Sequence, residues 1–114
     1  MNEETNEISW SDFTKIEMRV GTIVEAAKFP EAKKPAYKLR IDFGELGMRK
    51  TSAQITNLYN LEDLPGKKIV AVVNFPPKQI ANFMSECLVL GAVDGDEISL
   101  LSVDNDAKNG LKIG

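Results

Sequence analysis

The sequence predicts an all-β domain, a small closed barrel of about five strands, and three observations lead there. Apolar, β-branched stretches recur at close spacing with turn residues between them. The first stretch carries Gly21 near its start, where a missing side chain permits a bend or bulge of the kind that closes barrels. A short segment suited to a helical turn separates the third stretch from the fourth. An open sheet or a small sandwich would share this periodicity and stays open at this level.

Before the first strand, SWSDFTKI offers Ser9 or Ser11 as an N-cap, with Trp10, Phe13 and Ile16 at helical spacing. One short helical turn is expected, its aromatic face packed on the domain. RVGTIVEAAKF reads as a long strand, and PEAKKPA, bracketed by Pro30 and Pro35, as a loop with two adjacent lysines. AYKLRIDF alternates, with Tyr37, Leu39, Ile41 and Phe43 on one face and Lys38, Arg40 and Asp42 on the other. GELG turns the chain into a third strand, MRKTSAQI. NLYNLED is long enough for one helical turn only, ended by Pro65-Gly66. KKIVAVVNF is a central strand stopped by Pro76-Pro77. KQIANFM reads as a short helix or turn, CLVLGAV as a fourth long apolar strand, and Asp94-Gly95 as the hairpin turn before EISLLSV. The OB-fold is one barrel architecture that fits this order.

At 114 residues the chain suits one domain, 1–114, able to bury a core without disulfides or metal. Its longest apolar runs fall well short of the ~20 residues of a membrane span, and the start MNEETNEISW is acidic rather than basic and then apolar. A cytoplasmic protein is expected. There is no histidine and a single Cys87, so Cys-His and Ser-His catalysis and thiolate metal clusters are ruled out, and no phosphate-cradling glycine loop occurs. No cofactor, metal or catalytic residue is assigned, and a binding module is favoured over an enzyme. Cys87, in SECLVLGA, is expected to be buried.

The net charge of −3 hides a segregation. Residues 1–27 hold two basic and six acidic side chains, residues 28–78 ten and five, and residues 79–114 two and six. A basic middle between acidic ends suits a polyanion site, since Lys and Arg neutralising phosphates dominate nucleic-acid affinity. A solvated surface would look the same.

Three stretches go further than pattern. MRVGTIVEAAKFPEAKKPAYKLRIDFG, RKTSAQIT and LPGKKIVAVVNFPPKQIANFMSECLVLGA resemble, in order and over most of the chain, the tRNA-binding domain family. That family includes the C-terminal appendage of methionyl-tRNA synthetases and secretion chaperones of the CsaA type, and SAQIT and NFPPKQI are similar to the latter. The resemblance implies an OB-fold Greek-key barrel and a homodimer, with the N-terminal helical segment 1–16 and the tail 104–114 at its interface. It also implies a basic face for nucleic acid, and for CsaA-type members the binding of exported polypeptides. By position it places Lys34, Arg49, Ser52, Gln54, Asn74, Lys78, Ser85 and Glu86 on that face, joined by the adjacent Lys33. Two departures count against tRNA as the specific ligand: Phe29 stands where synthetase-type members have His, and Ser-Glu-Cys-Leu where they have Ser-Glu-Gly-Met.

Residue chemistry supplies the roles. Lys33 and Lys34, on a loop stiffened by prolines, suit a phosphate clamp. Ser52 and Gln54 offer hydroxyl and amide groups to bases or to a peptide backbone. Glu86 repels phosphate, so on such a face it would accept from a base or orient Arg49 or Lys78. Tyr37, Phe43 and Phe75 fall at expected core positions, leaving Phe29, Tyr59 and Phe83 as candidate exposed rings. Phe83 and Met84 suit an apolar patch for a client polypeptide. Two functions stand side by side: a non-enzymatic chaperone for unfolded or exported polypeptides, and a tRNA or RNA-binding module.

Overall fold

The computed structural model describes residues 6–114, so residues 1–5 of the expected N-terminal helical segment lie outside the described residues. Helix α1, Trp10–Thr14, is set by Ser9: its hydroxyl accepts from the Asp12 N–H while the Asp12 carboxylate accepts from the Ser9 N–H, a capping box. Five residues are too few to hold themselves, and the helix buries none of its side chains. The expected packing of its aromatic face does not occur. Trp10 is 73% exposed and, among the described residues, its ring contact is a tilted one with Phe13 at 5.4 Å.

Strand β1, Met18–Lys28, is long because it serves two partners. Its first half pairs with β4, Lys68–Val72, and its second half with β2, Tyr37–Asp42, with a shift in register between Ile23 and Glu25 where the strand changes direction. Gly21 sits before this bulge and meets a different demand. A β-carbon there would come within 2.6 Å of the Ile41 side chain and 2.7 Å of the Phe43 ring, so the residue is small because the barrel wall is tight.

β2 continues through a tight turn at Gly44–Leu46 into β3, Met48–Ala53, in unbroken antiparallel register. Strand β4 carries β-branched residues on both faces and is buried along nearly its whole length. After it the chain departs from the order its sequence suggests. KQIANFM is neither helix nor simple turn: Lys78–Ile80 (β5) and Phe83–Ser85 (β6) form a hairpin with Ile80 opposite Phe83. CLVLGAV is not one strand but two, β7 (Leu88–Val89), which pairs with β4, and β8 (Gly91–Asp94), which leaves the barrel to pair with β9 (Glu97–Leu100). The β8–β9 turn is Gly95-Asp96, one residue later than expected, with Gly95 supplying a φ of +60°.

The main sheet runs β3-β2-β1-β4-β7. Antiparallel throughout and brought round until β7 approaches β3, it is a nearly closed five-stranded OB-fold barrel. Ile23, Leu39, Ile41, Phe43, Ile69 and Ala71 fill its interior, with Leu64 from the loop before β4 as an end plug. The tail returns along β1: the Val20 N–H donates to the Leu111 carbonyl and the Ile113 N–H to the Met18 carbonyl.

Candidate binding cleft

The site grows out of how the barrel closes. Strands β3 and β7 do not form a ladder; side chains and one main-chain bond join β3 instead to Ser85, Glu86 and Cys87, which lead into β7. The Lys50 N–H donates to the Glu86 carboxylate at 3.0 Å, and the Glu86 N–H returns to the Lys50 carbonyl at 2.8 Å. The Ser52 N–H donates to the Ser85 hydroxyl at 3.1 Å. Inside this pair, the buried Thr51 hydroxyl donates to the Cys87 carbonyl at 2.6 Å. Ser85 and Glu86 are therefore engaged with the backbone of β3, which gives a carboxylate a reason to stand before the buried Cys87, and among the described residues Glu86 pairs with neither Arg49 nor Lys78. Cys87 is buried as expected, and burial pushes its thiol from the usual 9.0 up to about 11, only partly offset by the positive charge of Arg49.

Past these contacts the seam widens into a cleft of about 610 Å³. Ser52, Gln54 and Ile55 line its β3 side, and Cys87 to Gly91 the opposite side. Phe75, Ile80, Val93 and Ile98 complete an apolar wall, and Lys34 and Lys78 stand in the lining. Five residues expected on the binding face thus meet around one cleft: Lys34, Ser52, Gln54, Lys78 and Ser85.

The others lie elsewhere. Lys33 is exposed on the β1–β2 loop outside the cleft. Arg49 points to the opposite side of β3 from Lys50 and Ser52, and its guanidinium donates to the Val73 carbonyl at 2.7 Å. The Asn74 amide clamps the chain entering β1, accepting from the Glu17 N–H and donating to the Lys15 carbonyl. Phe83 and Met84, adjacent on β6, face opposite ways and make no common patch. Phe83 is half-buried, edge-on to Phe29 at 5.5 Å, while Met84 is exposed.

The aromatic expectations invert at two positions. Phe29 is 4% exposed, packed beneath Phe83, whereas Phe75 is 56% exposed on the cleft wall. Strand β4 ends at Val72, so the alternation that would bury Phe75 no longer applies to it. Tyr59 is half-buried, its hydroxyl accepting from the Leu100 N–H.

A second feature lies on the outer face of β2 and β3. The Lys50 ammonium sits 5.1 Å from the centre of the Phe83 ring and that of Lys38 5.6 Å, with Arg40 alongside, paired to Glu25. The alternation of AYKLRIDF identified Lys38 and Arg40 as a polar face; the ring between Lys38 and Lys50 comes from a hairpin more than thirty residues on, which no local pattern reveals.

The family described as "Putative tRNA binding domain" matches residues 18–112. Among solved structures, the chaperone CsaA of Bacillus anthracis str. Ames is 51% identical with a TM-score of 0.91, covering 95% of this chain and 99% of that one. The CsaA chaperone of Picrophilus torridus is 57% identical with a TM-score of 0.90, covering 95% and 100%. The methionine–tRNA ligase of Leptospira interrogans serovar Lai (strain 56601) is 40% identical over 111 residues, which are 97% of this chain but 15% of that enzyme. With the match running from β1 to the tail and the barrel shared throughout, the chain belongs to the tRNA-binding domain family.

Proposed function

We propose that this protein is a non-enzymatic chaperone of the CsaA kind, which captures unfolded or export-destined polypeptide in the cleft between β3 and β7 and works in the cytoplasm as a homodimer. The observation that carries this reading is the character of the cleft: large exposed apolar side chains, Phe75 and Leu88 among them, line it beside two lysines. Exposed apolar surface of this sort is what an unfolded chain seeks and what a folded monomer normally covers. The likeness to two CsaA chaperones over almost the whole of both chains supports it. Lys34 and Lys78 would draw acidic clients toward the opening. The net charge of −3 disfavours nucleic acid as the general ligand.

A second reading, binding of tRNA or another RNA, draws on the outer-face lysines Lys38 and Lys50 around Phe83, which together offer phosphate contacts beside a ring. Ionic strength separates the two. Reduced, carboxymethylated α-lactalbumin and unfractionated tRNA are titrated with the protein at low and at physiological salt. Capture in the cleft should weaken on Leu88→Ser and lose with salt only the part that Lys34 and Lys78 contribute, a loss that Lys34→Ala and Lys78→Ala abolish, whereas phosphate binding should fall steeply and weaken on Lys38→Glu and Lys50→Glu. Absence of polypeptide binding at both salts overturns the chaperone reading.

A further inference from the structure

The β3–β7 seam is bonded at one end and open at the other. Along β3, the residues directed toward the seam are Lys50 and Ser52, whose N–H groups are taken by Glu86 and Ser85. Two positions on, Gln54 is exposed just past the end of β3 at Ala53, and among the described residues neither its backbone N–H nor its carbonyl has a hydrogen-bond partner. The facing segment is engaged elsewhere: the Leu90 N–H donates to the Val70 carbonyl, and the Leu90 carbonyl accepts from the Leu101 N–H. The apolar cleft lies between these two edges.

We propose that the open end of the seam binds an extended polypeptide segment as an added strand, its backbone pairing with the Gln54 N–H and carbonyl and alternate apolar side chains entering the cleft. This rests on the polypeptide-binding reading above and specifies the form in which the client is held. An unpaired strand edge is a template for another chain, since it presents a donor and an acceptor in the spacing of an extended backbone. A flanking apolar wall then selects side chains at every second position, because successive residues of a strand point to opposite sides. Lys34 and Lys78 favour a carboxylate on the guest beside its apolar run. Main-chain pairing also explains how one site accepts many sequences: the groups it reads are common to all polypeptides. A nucleic acid strand has no such alternating row of N–H and carbonyl groups.

The test uses a short peptide alternating valine and threonine with an aspartate at each end, and two derivatives N-methylated at alternate amides, one in each register. N-methylation removes a donor and blocks pairing without altering side chains. One derivative should lose affinity about tenfold or more, as expected for losing one or two hydrogen bonds and adding a clash, while the other keeps it. In parallel, the Gln54 amide should exchange rapidly with solvent in the free protein and become protected when the parent peptide binds. Equal binding of both derivatives with an unprotected Gln54 amide overturns strand addition while leaving polypeptide capture in place. If the parent peptide fails to bind although carboxymethylated α-lactalbumin binds, the alternating segment is not what the cleft recognises and the proposal falls alone. If neither binds, the polypeptide reading falls with it.

Discussion

Cys87 and Ala81 show how a single residue's environment becomes a measurable property. The Cys87 thiol is held neutral by burial, with its pKa raised from 9.0 to about 11. A thiol reagent should therefore label it slowly in the native protein at neutral pH and quickly after unfolding, and fast native labelling would contradict the burial. Because the folded value lies above the unfolded one, the contribution of this group to stability is complete below about pH 9 and is lost as pH rises through about 11. Cys87→Ala should make alkaline unfolding shallower over that window. Ala81 sits in the β5–β6 turn with φ +53°, a region that costs an L-residue about 1–2 kcal/mol. Glycine occupies it freely but has more freedom to lose on folding, so Ala81→Gly should raise stability by roughly 0.5–1 kcal/mol in a urea titration. Ala81→Val, which adds a β-branch at the same angle, should lower it.

At the scale of elements, the central question is how β3 and β7 are held without a ladder between them. The Thr51 hydroxyl is fully buried and bonds the Cys87 carbonyl, so Thr51→Val keeps the shape and strands a buried acceptor. The expected cost is about 1–3 kcal/mol in chemical denaturation. Glu86→Ala breaks a bond near the surface, where water can replace the lost acceptor, and should cost less, about 1 kcal/mol. An equal or reversed order would mean that the hydroxyl bond is not what closes the barrel. The hairpin of β5 and β6 escaped the sequence reading because its two strands have three residues each, too few for alternation to outweigh a short amphipathic turn. Leu90 likewise interrupts what reads as one apolar strand, because its carbonyl is claimed by Leu101 and the chain turns out of the barrel.

For the whole molecule, exposed apolar groups gather at both ends of the chain. Ile8, Trp10 and Leu111 are all at least half exposed, more than a solitary small barrel would leave uncovered. A symmetric pair of protomers covering them is the expected assembly, and light scattering at micromolar concentration should give twice the chain mass of 12.6 kDa. A monomer mass would contradict it. Trp10→Ser should then shift the equilibrium toward monomer and make thermal unfolding less dependent on protein concentration, since the helix contributes no buried side chain to the barrel of a single chain.

Much of this protein follows from its amino-acid order alone. The long first strand, the alternating second, the β-branched central strand, the capped turn at Ser9 and the buried cysteine are all local: the period of two and the cap are properties of neighbouring residues. The lack of histidine and of a phosphate loop likewise limits the chemistry whatever the fold. Tertiary structure alone decided the rest. Whether Phe29 or Phe75 is exposed depends on where a strand ends and what crosses it, and whether Lys38 and Lys50 share a ring depends on a hairpin far along the chain. The cleft itself exists because β3 and the segment leading into β7, separated by more than thirty residues, are joined at one end and part at the other. Periodicity specifies which face of a strand is apolar, but the distance between two strand edges is set by the packing of everything between them.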